Sequence, residues 1–308
     1  MTRAGSLAPV SWSRARVESF WADAEVVAVP DDPRPGSWVG GPSVQLVDGV
    51  WWLAQRLRRP VGEGRGFANS LSRSDDGVHF EPVAALGKDA FGAESLERPA
   101  LVHTPDGRWR TYVSCATPGT KHWRVDLLEA DTVQGLATAT PRTVLPGDAG
   151  SAVKDPVVRH DGGRWHLWAS VHPLDDPDAT DRMTVDHATS TDGVDWTWQG
   201  TVLTGTPGTW DARGVRPATV WTEDGATWAL YDGRATAEEN WEERTGLARV
   251  DPDGWTPVGD GPLLQSPHAP HGLRYAEVVM LPDGGHRWFY EATRADGAHE
   301  LRTVLLRD

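Results

Sequence analysis

The sequence predicts an all-β fold: a five-bladed β-propeller spanning residues 1–308 as one domain, with the last blade closed by an N-terminal strand. Three observations predict it. An Asp-Gly turn joins an apolar stretch to a Trp- or Tyr-rich one at Asp48, Asp106, Asp161, Asp224 and Asp283, giving separations of 58, 55, 63 and 59 residues. Similarity at a fixed period marks a repeat architecture, and with β content it marks blades around a channel. Short apolar stretches also open on Pro42, Pro99, Pro156 and Pro217, which lie 57, 57 and 61 residues apart. Finally, helical periodicity is weak everywhere except for one predicted helical turn near residues 236–243.

Each unit reads in the same order. The opening strand carries Pro near its start, where a missing backbone donor is tolerated. The Asp-Gly pair then supplies the positive φ angles of a tight hairpin. Aromatic strands return, such as Val50-Trp51-Trp52-Leu53 and Trp165-His166-Leu167-Trp168, with period-two alternation. A second turn closes the outer part of some blades, in Ser74-Asp75-Asp76-Gly77 and Ser190-Thr191-Asp192-Gly193, with a shorter version at Asp253-Gly254-Trp255. The fifth unit is short, with three strands' worth of residues after Glu277. Residues 17–29, which include Ala24-Glu25-Val26-Val27-Ala28-Val29, are predicted to complete it and cover its edge.

Composition narrows the function. The 17 Trp against 5 Phe and 4 Tyr suit blade packing first and sugar-stacking platforms second. A formal net charge of −14 repels phosphate backbones, so no nucleic acid is expected as a partner. Scattered Lys and Arg, and no apolar run of spanning length, predict no membrane partner. Residues 1–16 lack the apolar core of a signal peptide, so a cytoplasmic location is expected. The one cysteine, Cys115, lies in an apolar strand and reads as a core residue.

The two residues before each repeat Pro, or its equivalent, are Gly40-Gly41, Glu97-Arg98, Lys154-Asp155, Val215-Arg216 and Ala276-Glu277. At the start of innermost strands these would converge on one mouth of the channel. Three carboxylates and three cations crowded there would have their pKa values pushed apart, as a site holding both an acid and a base requires. Arg56 and Arg58 share a face of the next strand by alternation.

With the Asp-Gly hairpins and Ser74-Asp75-Asp76-Gly77-Val78-His79-Phe80, the phrases Glu97-Arg98-Pro99 and Lys154-Asp155-Pro156 resemble the five-bladed β-propeller glycoside hydrolases. That group takes in arabinanases, β-xylosidases, invertase-like enzymes and mannoside phosphorylases. The resemblance covers nearly the whole chain as architecture, through short motifs. It implies a carbohydrate substrate, no cofactor, and cleavage by paired carboxyl groups, one protonating the leaving oxygen and one activating water or attacking the anomeric carbon. By the resemblance Glu97 is a proton donor and Asp155 a tuning or stabilising carboxylate. Blade one departs from the pattern, with Gly40-Gly41 where a base Asp is expected. Glu277 is therefore expected as the second catalytic carboxylate, with Asp211 of Trp210-Asp211-Ala212-Arg213 in reserve.

Arg98, Arg213 and Arg216 are expected to hold substrate hydroxyls or a carboxylate, or else to pair with the site carboxylates. Arg56, Trp210 and the loop residue His271 complete the expected substrate-binding set, and Trp241 is a further platform candidate. The run Glu238-Glu239-Asn240-Trp241-Glu242-Glu243 reads as a solvent face. No spacing suits a metal cluster. The expected activity is exo-acting hydrolysis of a terminal sugar. A non-catalytic sugar-binding propeller and an inverting glycoside phosphorylase are its alternatives.

Overall fold

A computed structural model describes residues 20–307. The reading of residues 1–16, and the start of the expected closing segment at residues 17–19, lie outside the described residues. The architecture is all-β. A short strand, β1 (Glu25–Ala28), precedes four runs of four strands. The first is β2 (Trp38–Val47), β3 (Val50–Arg58), β4 (Gly66–Ser74) and β5 (Glu81–Gly87). The second is β6 (Leu96–His103), β7 (Trp109–Ala116), β8 (Trp123–Ala130) and β9 (Arg142–Leu145). The third is β10 (Ser151–Asp161), β11 (Arg164–Pro173), β12 (Thr184–Ser190) and β13 (Thr197–Leu203). The fourth is β14 (Gly214–Glu223), β15 (Ala226–Arg234), β16 (Arg244–Asp251) and β17 (Gly254–Val258). A final run of three follows: β18 (Leu273–Met280), β19 (His286–Thr293) and β20 (His299–Leu306).

Neighbours within each run pair antiparallel, and β1 pairs antiparallel with β20. The second, third and fourth runs are separate four-stranded sheets. The first and last share one eight-stranded sheet, joined by a single parallel pair, Trp38 with His299. The opening strands touch in cyclic order: β2 on β6, β6 on β10, β10 on β14, β14 on β18, and β18 on β2.

Apolar burial follows the same cycle. One cluster packs the first run on the second, through Leu71, Leu96, Trp109 and Val113. Others pack the second on the third, the third on the fourth, and the fourth on the last. A fifth, with Trp51, Leu53, Phe289 and Leu301, packs the last on the first. The core thus lies between sheets and leaves the axis for polar groups. Ten of the tryptophans are buried, so packing is their main use. Cys115 is among the core residues, and burial pushes its thiol pKa up.

The turns hold to the predicted chemistry with adjustments. Asp48-Gly49 and Asp224-Gly225 are two-residue hairpins with positive φ at both positions. In the third run the positive pair is Gly162-Gly163, one residue later, because Asp161 still pairs with Arg164. The two Ser-x-Asp-Gly turns are alike: Ser74 Oγ accepts from the amides of Asp76 and Gly77, and Ser190 Oγ from those of Asp192 and Gly193. Residues 238–241 form a hydrogen-bonded turn within 236–243, the Asn240 amide on the Ala237 carbonyl at 3.1 Å and the Glu242 amide on that of Glu239 at 2.9 Å. No helix among the described residues is long and apolar enough to cross a membrane.

Candidate active site

Every opening strand is kinked, at its repeat Pro in the first four and at Tyr275-Ala276 in the last, and the kink decides what faces the axis. Register breaks fall between Gly40 and Ser43, Leu96 and Pro99, Lys154 and Val157, Pro217 and Thr219, and Arg274 and Glu277. A bulge bends its strand and re-aims side chains. Gly41, Asp155 and Tyr275 occupy three of these kinks with φ of 58°, 53° and 55°. Positive φ is easy for Gly, tolerated by Asp and costly for Tyr.

Two cavities meet the axis. One, of about 440 Å³, is lined from the starts of the opening strands by Glu97, Lys154, Arg216, Arg274 and Tyr275. The other, of about 900 Å³, is lined from their second halves by Val44, Leu101, Val158, Trp221 and Val279, together with Arg98 and Glu277.

The smaller cavity is walled largely by charged side chains. Eight cations line it: Arg56, Arg58, Arg65, Lys121, Lys154, Arg216, Arg234 and Arg274. Three carboxylates face them, Glu97, Asp181 and Glu243. Glu97 accepts from Arg56 and lies 3.6 Å from Arg58. Burial pushes its carboxyl up, but Arg56, Lys154 and Arg58 outweigh burial and hold it at about 2. Glu243 is bound by Arg234, by Arg274 at 3.0 Å and by Arg216 at 3.3 Å, which against burial keep it well below the carboxylate range. The reading of residues 238–243 as a solvent face is therefore corrected at Glu243, which is buried. A charge ending a polar run beside an Arg-rich strand was the available signal.

A second layer lies beneath. Asp155 is fully buried 3.5 Å from Lys154 and 3.9 Å from Arg216, and both its carboxylate oxygens lack hydrogen-bond donors. Asp232 accepts two bonds from Arg216, at 2.9 and 3.1 Å, yet burial raises its pKa to about 6. Tyr275 accepts from Arg216 at 2.9 Å.

Gly40 leaves the first run without the expected Asp, and Glu291 of β19 fills the space. A Cβ on Gly40 would sit 2.2 Å from Glu291 Oε2. Glu291 is saturated by Arg56 at 2.6 Å, Arg274 at 2.7 Å and His299 at 2.8 Å. A lone carboxylate in the aromatic strand Trp288-Phe289-Tyr290-Glu291 was its signal in the sequence.

The structure does not gather the three expected catalytic carboxylates at one mouth. Glu97 lines the smaller cavity and Asp155 lies below it, whereas Glu277 lines the larger one. The reason is register. In the last run the kink is Arg274-Tyr275-Ala276, so the residues equivalent to Lys154-Asp155 are Arg274-Tyr275, and Glu277 lies two further along. There it accepts from Arg98 at 2.8 Å and Thr219 at 2.9 Å, and burial lifts its carboxyl to about 7 against the pull of Arg98.

Of the expected binding residues, Arg56 and Arg216 line the smaller cavity, as does Arg58. Arg98 faces the larger cavity, paired with Glu277. Arg213 pairs with Asp181 at 2.7 and 2.9 Å outside the cavity lining. Asp211 is buried and ties its own loop, accepting from Thr209 and, at 3.2 Å, from Tyr231. Trp210 stacks on Tyr231 with ring centres 5.6 Å apart. His271 is exposed and bonds to the Ser266 carbonyl at 2.9 Å. None of these four lines either cavity: Trp210, Asp211 and Arg213 belong to a loop that packs back on β15, and His271 lies in a separate loop ahead of β18. Trp241, by contrast, does border the smaller cavity. Among the described residues no group of three or more His, Cys, Asp or Glu side chains is placed to hold a metal ion.

No family model matches the chain, and no curated protein matches it in sequence. Solved structures do match in shape. A thermostable family-43 glycoside hydrolase aligns with TM-score 0.66 at 15% identity, over 90% of this chain and 91% of that one. The α-L-arabinofuranosidase from Lactobacillus brevis aligns with TM-score 0.65 at 16% identity, over 91% and 94%. The β-1,2-mannobiose phosphorylase from Listeria innocua, in complex with β-1,2-mannobiose, aligns with TM-score 0.65 at 14% identity, over 92% and 91%. At these identities the likeness establishes a shared propeller-type fold, that of the group the sequence motifs resemble.

Proposed function

We propose that this chain is a five-bladed propeller that cleaves glycosidic bonds, acting as an exo-hydrolase on a terminal sugar in the smaller cavity. The eight-stranded sheet is then two blades touching at the Trp38–His299 pair, with β1 as the fourth strand of the fifth. The cyclic order of opening strands and of inter-sheet clusters supports that reading.

The observation carrying the functional reading is Glu97. It is a carboxylate at a strand kink, held ionised by arginines, in a cavity bordered by Trp38, Trp123 and Trp241. Trp faces supply stacking area for a sugar ring. An ionised Glu97 accepts protons rather than donating them, so its role is general base or stabiliser of developing positive charge. This reverses the donor role that the resemblance implies. Proton delivery then falls to the Lys154–Asp155 pair, since burial lowers the Lys154 pKa and its ammonium stands in the cavity wall. Arg56 and Arg216 orient both carboxylates, and Glu277 takes no part.

The test is a screen of chromogenic pyranosides and furanosides, followed by Glu97→Gln. Loss of a positioned base predicts a fall in turnover of about 10²–10⁴-fold. Near-ultraviolet circular dichroism would verify that the fold is kept, and undiminished turnover in a folded variant would overturn the assignment. The cation excess favours one second reading, phosphorolysis with phosphate as the nucleophile. A requirement for inorganic phosphate would separate it from hydrolysis.

A further inference from the structure

We propose that Arg58, Arg65 and Lys121 form an anion subsite that takes the carboxylate of an acidic sugar, a uronate carried on the saccharide. The ring's presence rests on the glycoside reading; the anion does not.

The cations of the cavity divide in two. Arg56, Arg216, Arg234 and Arg274 are matched by Glu97, Asp181, Asp232, Glu243 and Glu291 at 2.6–3.4 Å or closer. The other side is unmatched. Among the described residues, Arg58 donates no side-chain hydrogen bond although it is only 8% exposed, and its nearest carboxylate oxygen is 3.6 Å away. Its Nε is buried without a partner. Arg65 and Lys121 show no ion pair there, and Lys154 reaches only Asp155, at 3.5 Å. A buried donor left without an acceptor keeps its desolvation penalty uncompensated, and the penalty is larger for a charged group. A guanidinium kept in that condition inside a cavity is poised for an anion. Burial, with repulsion from Arg56, Arg274 and Arg65, also draws the Arg58 pKa down to about 10 against the pull of Glu97.

The surroundings select the kind of anion. Arg58 lies between two indoles, 4.2 Å from the Trp38 ring centre and 5.0 Å from that of Trp241. Trp123 carries Arg65 at 5.2 Å and Lys154 at 5.0 Å. Trp38 and Trp123 are covered by these cations, whereas Trp241 keeps exposed ring area beside the anion contacts on which a sugar ring could stack, which suits a charge borne by the ring. The planar fork of Arg matches a carboxylate bidentately. An anion on Arg58 would also lie close to ionised Glu97, and the repulsion doubles for a dianion such as phosphate. A monoanionic carboxylate fits better.

Titration calorimetry on the whole chain, with D-glucuronate, D-galacturonate, D-glucose, D-galactose and inorganic phosphate, tests this. A uronate should bind about tenfold or more tighter than its parent hexose, with the advantage shrinking as salt screens it. Arg58→Gln and the exposed Lys121→Ala should each remove most of that advantage and leave hexose binding in place. Lys121→Ala keeps the test valid if the buried variant does not fold. Equal binding of uronates and hexoses overturns the proposal, and so does tight binding of phosphate alone. Uronate binding without cleavage of any glycoside would sustain the subsite and remove the glycosidase reading. Cleavage of neutral glycosides without a uronate preference would do the reverse.

Discussion

Glu243 is the carboxylate on which three buried arginines converge, so its neutralisation should register in stability. In Glu243→Gln the shape is kept while Arg216, Arg234 and Arg274 lose a shared counter-charge. Removing one partner of a buried ion pair costs about 3–5 kcal/mol. An unfolding entropy of about 2.1 cal/mol/K per residue gives about 0.65 kcal/mol/K for the 308-residue chain. The melting temperature should therefore fall by about 5–8 °C. Scanning calorimetry at neutral pH, with the exposed Glu238→Gln run alongside as a control, measures it. The sign with pH follows from the depressed carboxyl: its contribution is present above the unfolded-chain value of about 4.3 and is lost as pH falls towards the folded one. The gap between wild type and variant should narrow in acid. A fall no larger than that of the control, or a gap constant down to low pH, would refute the electrostatic reasoning.

Other outcomes follow from the same geometry. Glu277 is opposite in sign: with its carboxyl raised to about 7, the protein loses stability as pH climbs from about 4.5 to 7. Glu277→Gln should flatten that slope, gaining about 3 kcal/mol on the wild type, as urea unfolding at both ends of the range would measure. Gly40→Ala should cost about 1–3 kcal/mol, because the new methyl group meets Glu291 at 2.2 Å; calorimetry checks it. Ser74→Ala and Ser190→Ala each strand two turn amides, so each should cost about 1–2 kcal/mol. Lying in different runs, the two should add to within about 0.5 kcal/mol in the double variant.

The fold was legible because the signals that set it are local. Asp-Gly and Pro recur wherever a hairpin or a strand kink requires them, and backbone geometry alone makes those demands. The site was legible only where the count from Pro matched the kink. Lys154-Asp155 obeys the count, and Arg216 comes close to it. In the last run, which lacks the Pro, Tyr275 holds the kink, and the alignment slipped by two residues to Glu277. Arg274 was hidden by the same slip, whereas Arg234, Glu243 and Glu291 stayed hidden for a different reason. Their roles come from side chains reaching across from second strands and loops, and no repeat position marks such reach. Trp210 and Asp211 show the converse, since a phrase familiar from pocket rims is used here to pin a loop on Tyr231.

The strained kinks tie the fold to the charge arrangement. A bulky residue at positive φ persists only when its surroundings over-determine it, and Tyr275 is fixed by Arg216 on its hydroxyl and by Asp232 accepting from its amide at 2.9 Å. Arg216 also lies over the Tyr275 ring, 3.9 Å from its centre. Asp155, at the matching position of the third run, has its amide held by Ser114 at 2.8 Å while its carboxylate is left without donors. One kink is thus closed by its own network and the other is left open. The same division runs through the charge around them: Arg216 and Arg274 are tied to carboxylates, whereas Arg58 Nε in the cavity wall and the Asp155 oxygens beneath it are left without hydrogen-bond partners.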